Sequence, residues 1–143
     1  MSTIRHINKF RIFIIFGLFI GVFLYLKVAR NFFDRPFILA DETQTIEAVY
    51  VAWACDCPNW LSTHHYTTTP DYEAREEDCF FIEPADTLNA LPPSMVFSVR
   101  TKIKFTGRFY VDKGIPESYV SIGDFKPAHA RVFRYEEYEL ISN

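Results

Sequence analysis

The sequence predicts a mainly β fold, a small closed or partly open β-barrel preceded by a single N-terminal transmembrane α-helix. Residues 12–26 (IFIIFGLFIGVFLYL) carry no polar group except the Tyr25 hydroxyl, which is typical of a helix in lipid. Residues 96–111 alternate apolar and polar side chains with the period of two expected of a half-buried strand. The chain has 143 residues, a length that allows one folded domain rather than two.

The N-terminal segment is interpreted as an uncleaved transmembrane anchor at residues 12–29, following a cytoplasmic tail at residues 1–11. Arg11 and Lys27 flank the apolar run and can extend their charged ends toward lipid headgroups. A cleaved signal peptide is the alternative, but Lys27 stands where a signal peptidase prefers a small side chain. A buried core helix is disfavoured because the run has no polar stripe.

Charge divides the chain into two parts. Residues 1–40 hold six Lys/Arg and one acid, net +5, whereas residues 41–143 hold nine Lys/Arg and seventeen acids, net −8. Basic residues flank both ends of the helix equally, so only the short tail favours a cytoplasmic N-terminus. We expect the cytoplasmic (inner) membrane, a juxtamembrane linker at residues 30–42, and an extracytoplasmic domain at residues 43–143. The acidic domain disfavours nucleic acid as a partner.

Four strands are predicted in this domain. The clearest covers residues 96–111, where Ile103 and Phe105 take inward positions. Gly107 also falls inward and predicts a bulge or sharp bend, which small barrels need. The other predicted strands are Thr45–Ala54, Cys79–Ile82 and Ala128–Ile141, although the three glutamates of the last also suit a helix.

Four runs carry a resemblance to a known group of proteins. They are YVAWACDCPNW (Tyr50–Trp60), CFFIEPA (Cys79–Ala85), IKFTGRFY (Ile103–Tyr110) and ARVFRY (Ala130–Tyr135). On these runs the domain resembles uncharacterised bacterial envelope proteins with a membrane-anchored OB-fold-like domain. The resemblance implies an OB-like barrel and an envelope location. It implies no catalytic residues, because that group has no assigned activity.

The three cysteines form the most unusual local pattern. Cys55 and Cys57 are separated by one residue, and Cys79 is the only other cysteine. In an oxidising compartment one disulfide is expected, between Cys79 and either Cys55 or Cys57. Such a bridge closes a loop of about 22 to 24 residues and stabilises by ~3 kcal/mol in the chain-entropy model. Free or buried thiols are a second interpretation.

A thiol-based metal-handling or redox protein is the alternative function. Two or three thiolates with a neutral imidazole can complete a tetrahedral zinc or copper(I) site. The candidate ligands are Cys55, Cys57, His64, His65 and Cys79. Their spacing matches neither a zinc finger nor a CxxC redox motif, so we expect no resident cofactor.

A basic row lies on the outward face of the strand at residues 96–111, formed by Arg100, Lys102, Lys104 and Arg108, with Tyr110 on the same face. It is a candidate binding face for an acidic protein or for anionic lipid or glycan groups. The alternative is a solvated face beside carboxylates of neighbouring strands.

The chain carries none of the local motifs that identify common enzymes. GxSxG, HExxH, the P-loop and GxGxxG are all missing from the sequence. We therefore expect no enzyme but a membrane-anchored, extracytoplasmic binding or assembly module of the bacterial cell envelope. Its expected partners are the membrane, through residues 12–29, and other envelope proteins or a membrane complex.

Overall fold

The structure is a computed structural model that describes residues 9–69, 71–96, 101–121 and 126–141. It divides into two compact units, Met1–Phe33 and Asp34–Asn143. The first unit contains helix α1, Lys9–Asp34. All the side chains described between residues 13 and 28 of this helix are exposed, and most of them are apolar.

Helix α1 does not support the predicted transmembrane anchor at residues 12–29. No helix in the described ranges is both long enough and apolar enough to cross a membrane. The uninterrupted apolar run ends at Arg11 and Lys27, and as a helix it measures about 22 Å against a hydrocarbon core of ~30 Å. The membrane span predicted at residues 12–29 is therefore unsupported by the described helices.

Five strands form the second unit and close into a barrel in the order β1-β2-β3-β5-β4. All neighbouring pairs are antiparallel except β3 and β5, which are parallel. The predicted mainly β fold with a small barrel is confirmed. The strands are β1 Gln44–Tyr50, β2 Trp60–Ser62, β3 Phe80–Pro84, β4 Lys102–Phe109 and β5 Arg131–Ile141.

Short helices occupy the connections between strands. They are helix α2 His64–Thr68, helix α3 Pro93–Val96 and the single 3₁₀ turns Glu76–Asp78 and Thr87–Asn89. Val96, predicted to begin a strand, lies in α3 instead, and the predicted strand residues at 97–100 lie outside the described residues. Residues 131–141 are a strand despite their glutamates, since β5 pairs on both sides.

Aromatic side chains fill the barrel: β2 to β5 contribute fully buried rings, and Tyr50 of β1 packs against them partly buried. Phe105 lies edge-on to Trp60, with ring centroids 5.3 Å apart, and 5.1 Å from the ring of Tyr135. Ile103 and Phe105 are fully buried, as their alternation predicts, whereas Val111 at the end of the pattern is exposed. The buried cluster consists of Ala48, Trp60, Phe80, Leu91, Ile103, Phe105, Phe133 and Tyr135.

Gly107 lies at an irregularity in the pairing of β4 with β5, where β5 contains the extra residue, Glu136. The register between β4 and β5 shifts between Thr106 and Gly107. A Cβ atom at Gly107 would lie 2.1 Å from the carbonyl oxygen of Arg134 and 2.7 Å from Cα of Tyr135. Only glycine allows the two backbones to approach this closely, so the predicted bulge at this point is confirmed, with its extra residue in β5.

Part of the predicted linker at residues 30–42 lies along the barrel. The amide of Ala40 donates to the carbonyl oxygen of Phe109 at 2.9 Å. The Asp112 carboxylate accepts from the amide of Phe37 at 3.1 Å and from that of Ile38 at 3.0 Å. Residues 37–40 are therefore part of the folded domain.

Candidate ligand-binding cavity

A cavity of about 450 Å³ lies where the β1–β2 and β4–β5 connections meet over β2 and β3. Side chains from both connections, from β3 and from the segment at residues 90–93 form its wall. A volume of this size is within the range of small-molecule sites. It also accommodates one or two side chains of a docked peptide.

The cavity wall is aromatic and uncharged. Its described lining includes Pro84, Pro93 and Pro116, and none of the lining residues carries a formal charge. The aromatic lining residues are Tyr50, Trp53, Trp60, Phe81, Tyr119 and Tyr135.

The β1–β2 connection returns to the barrel through Asn59. Its carbonyl oxygen accepts from the amide of Val51 at 2.8 Å, and its side-chain Nδ2 donates to the Tyr50 hydroxyl oxygen at 3.1 Å. The Tyr50 and Trp60 rings then meet edge-to-face, with centroids 5.8 Å apart. These contacts fix the two rings at one end of the cavity.

Tyr135 forms the buried back of the cavity. Its hydroxyl oxygen accepts from the amide of Leu91 at 3.0 Å, a bond that is fully buried. Burial raises the pKa of the Tyr135 phenol, so the hydroxyl stays neutral. The bond holds the Leu91 segment against β5.

The rim of the cavity is held by Asp56. Its carboxylate accepts from the Tyr119 hydroxyl at 3.1 Å and from the Ser121 hydroxyl at 2.6 Å. The Tyr119 ring also packs against Phe81, with centroids 5.1 Å apart. Burial, and then the bond to Asp56, raises the pKa of Tyr119 to about 12. The neutral Tyr119 hydroxyl therefore links the β4–β5 connection to the β1–β2 connection through its hydrogen bond to Asp56.

The disulfide joins Cys55 to Cys57, which differs from the expected bridge to Cys79. Cys79 is a buried free thiol that donates to the Arg75 carbonyl oxygen at 3.5 Å. Burial raises the pKa of this thiol, and the indole of Trp53 acts in the opposite direction. The buried Nε1 of Trp53 nevertheless reaches no partner at hydrogen-bond geometry among the described residues.

The candidate metal ligands are not brought together as a set of five. Among the described residues, the donor atoms that converge are those of Cys55, Cys57 and Glu76, all within 4.8 Å of one another. Neither His64 nor His65 belongs to this group, and His65 stacks on Tyr72 instead.

Carboxylates of the adjacent strand accompany the basic row. Nζ of Lys104 lies 2.9 Å from a Glu139 carboxylate oxygen, and Arg108 lies 3.9 Å from one of Glu136. Lys102 is exposed, and Arg100 lies outside the described residues.

Tyr110 is also engaged by a carboxylate. Its hydroxyl donates to Glu83 at 2.8 Å, and burial together with this bond raises the pKa of Tyr110 to about 12. On the outward face of β4, Lys104 and Arg108 are thus accompanied by carboxylates, whereas Lys102 is exposed.

The cavity was not predicted from the sequence. Its lining comes from segments far apart along the chain, and no local motif connects them. The available signal was the co-occurrence of aromatic residues and prolines at residues 50–60, 81–93 and 116–120.

Comparisons with known proteins add no name to this site: no family model, curated protein or solved structure matches the chain.

Proposed function

We propose that this chain is a non-catalytic binding module of the bacterial cell envelope, and that the cavity is its recognition site. The observation that carries the proposal is the uncharged aromatic wall around a space of about 450 Å³. Concave, mostly apolar sites with few polar groups are the common form of ligand sites. The described wall offers mainly aromatic and proline faces, and its polar members, such as Asn59 and Ser118, are uncharged.

The ligand class follows from the same wall. A neutral surface of aromatic and proline side chains suits an extended peptide that presents proline, aromatic or aliphatic groups. Phosphate-rich ligands are disfavoured, since none of the described lining residues is basic and residues 41–143 carry a net charge of −8. The proposed partner is therefore an apolar segment of another envelope protein.

The position of the cavity supports a recognition role. A five-stranded barrel with one parallel closing pair is typical of OB-like folds, which bind ligands on β2 and β3 and between the β1–β2 and β4–β5 connections. Cys55 and Asn59 of the first connection and Ser118 and Tyr119 of the second line this cavity. The same elements that form the recognition surface of such barrels therefore surround it.

The proposal places the barrel on the outer side of the cytoplasmic membrane, attached through helix α1. Two features support this placement. Phe19 and Phe23 are 72% and 61% exposed among other exposed apolar residues, a surface that lipid can cover. The Cys55–Cys57 disulfide suits an oxidising compartment.

Photo-crosslinking in intact cells tests the recognition site. Val120 lines the cavity and is 80% exposed, whereas Val111 is 68% exposed and does not line it. A photoreactive amino acid at Val120 should crosslink to one envelope protein, and the same group at Val111 should not. The crosslinked segment, synthesised as a peptide, should contain apolar or aromatic residues. Equal crosslinking at both positions would refute the proposed site.

Peptide binding can be followed without a label. The chain has two tryptophans, Trp53 and Trp60, and both line the cavity. The peptide should shift their fluorescence, and Ala90→Arg, which places a charge at an exposed lining position, should abolish the shift. Ala128→Arg is the matched control at an exposed position outside this cavity. An unchanged affinity in Ala90→Arg contradicts the proposal.

Cell fractionation tests the attachment separately. The full chain should remain with membranes after a high-salt wash and be cleaved by protease added to spheroplasts. Phe19→Asp combined with Phe23→Asp should release it, because charges in the apolar surface oppose lipid contact. Recovery of the unmodified chain in the soluble fraction would refute attachment and leave the cavity proposal intact.

A further inference from the structure

The Cys55-Asp56-Cys57 loop brings two sulfurs next to a carboxylate. In the disulfide form, both sulfurs and a Glu76 carboxylate oxygen lie within 4.8 Å of one another. Cys55 and Glu76 are exposed and Cys57 is buried, so the group opens to solvent on one side. Thiolate sulfur and carboxylate oxygen are both established ligand types for Zn²⁺.

Glu76 is available as a metal ligand because the nearby Arg75 pairs with the two acidic residues that follow Glu76. Arg75 pairs with Glu77 at 3.0 Å and with Asp78 at 3.1 Å. Within the ranges that the structure describes, no basic side chain pairs with Glu76. The Glu76–Asp78 3₁₀ turn therefore directs one unneutralised carboxylate toward the two sulfurs.

The loop is held by contacts that do not depend on the disulfide. Asp56 accepts hydrogen bonds from Tyr119 and Ser121, on the side of the loop that faces the cavity rim. Cys57 and the following Pro58 are buried. Breaking the sulfur–sulfur bond leaves these contacts in place, so both thiols stay close to Glu76.

We infer that reduction of the Cys55–Cys57 disulfide creates a zinc site with Cys55, Cys57 and Glu76 as protein ligands and solvent as the fourth. A dithiol reductant supplies two electrons and two protons and becomes a disulfide itself. Zn²⁺ then displaces the two thiol protons and binds both thiolates. Disulfide and zinc exclude each other, because the same two sulfurs form either bond. This inference goes beyond the proposed peptide binding and does not depend on it.

Metal titration of the purified full-length chain tests the inference. Oxidised and phosphine-reduced samples are titrated with Co²⁺ without oxygen, and the thiolate-to-cobalt charge-transfer band is followed. One Co²⁺ should bind per reduced chain, be displaced by Zn²⁺, and leave no band in the oxidised chain. A reduced chain without the band, or an oxidised chain with the same band, overturns the inference.

Variants at one 3₁₀ turn identify the third ligand. Glu76→Gln removes the proposed carboxylate and should weaken Co²⁺ binding by at least about tenfold, as losses around a metal site commonly do. Glu77→Gln is the matched control, since Glu77 pairs with Arg75. Both substitutions are at exposed positions and preserve the fold. Equal affinity in Glu76→Gln and Glu77→Gln overturns the ligand set.

Variants of the third cysteine and of two histidines test whether the metal binds to other residues of the chain. Cys79→Ser should leave the charge-transfer band unchanged, and so should His64→Ala combined with His65→Ala. Loss of the band in Cys79→Ser, or in the double histidine variant, would assign the metal to other ligands and overturn the inference.

Discussion

The two sides of the barrel are held together in different ways. On one side, β4 and β5 pair from Lys102 opposite Ile141 to Phe109 opposite Phe133, with a single register shift at Gly107. On the other, β2 and β3 meet through one residue pair, Trp60 opposite Phe80. The first side is a backbone ladder, whereas the second depends on aromatic packing and on connections that cross the gap.

The cavity lies on the side with the least backbone pairing. A three-residue β2 cannot cover the barrel wall, so loops and side chains such as Tyr119 and Leu91 cover it instead. Local opening is easiest where few backbone hydrogen bonds must break. The paired side therefore provides stability, and the loosely paired side provides a surface that can admit a ligand.

The largest expected effect is at the bulge of the paired side. Gly107→Ala introduces a methyl group that meets the Arg134 carbonyl oxygen at 2.1 Å, so the two strands must separate. We expect a loss of about 3 kcal/mol in the free energy of unfolding, measured by urea denaturation. Gly17→Ala is the control, because nothing lies within 4 Å of the added atom. A stable Gly107→Ala variant would contradict the close approach.

The second effect tests the loosely paired side. Tyr135→Phe removes the acceptor for the Leu91 amide and leaves a buried N–H group unpaired. We expect a loss of about 2 kcal/mol in the free energy of unfolding. Tyr138→Phe, whose hydroxyl has no hydrogen-bond partner among the described residues, should change stability much less. Equal losses of unfolding free energy in Tyr135→Phe and Tyr138→Phe would show that the hydrogen bond to the Leu91 amide does not cause the effect.

The third effect is a pH dependence of the cavity rim. The pKa of Tyr119 is about 12 in the fold against 10.0 in a free side chain, so the fold favours the neutral phenol. Its contribution to stability is complete below pH 10 and is lost as the pH rises toward 12. Urea midpoints across this window should fall less steeply in Tyr119→Phe than in the natural chain. Identical slopes would exclude Tyr119 as a source of the dependence.

The smallest effect is on the charged face of the paired side. Lys104→Gln removes the exposed ion pair with Glu139, which solvent and salt screen. The pair raises the pKa of Lys104 and lowers that of Glu139. We nevertheless expect Lys104→Gln and the natural chain to have the same urea midpoint in high salt. A clearly lower midpoint in the variant would give the basic row a larger structural role.

The difference between the two sides also explains how far the sequence could predict the fold. β4 shows its alternation through Ile103 and Phe105, and Gly107 indicates where its pairing with β5 becomes irregular, so both features followed from local pattern. β2 has only Trp60, Leu61 and Ser62, which is too short to show a period. The prediction therefore failed where the backbone ladder is shortest.

The group of two cysteines and a glutamate was harder to predict than the fold. Its contacts join residues that are either almost adjacent or far apart in the sequence. Cys55 and Cys57 bond across a sequence separation of 2, which an argument based on loop closure overlooks. Glu76 lies within 4.8 Å of both sulfurs although it is 19 residues beyond Cys57, so no local pattern shows this proximity. The helix prediction at the N-terminus was correct in its secondary structure.

The parallel pairing of β3 with β5 determines when the barrel can close during synthesis. β5 lies between β3 and β4, and it is the last of the five strands to be made. Until residues 131–141 leave the ribosome, β3 and β4 each have an open edge that can pair with another chain. Formation of the cavity is therefore a late event, since Tyr135, its buried back, arrives with the closing strand.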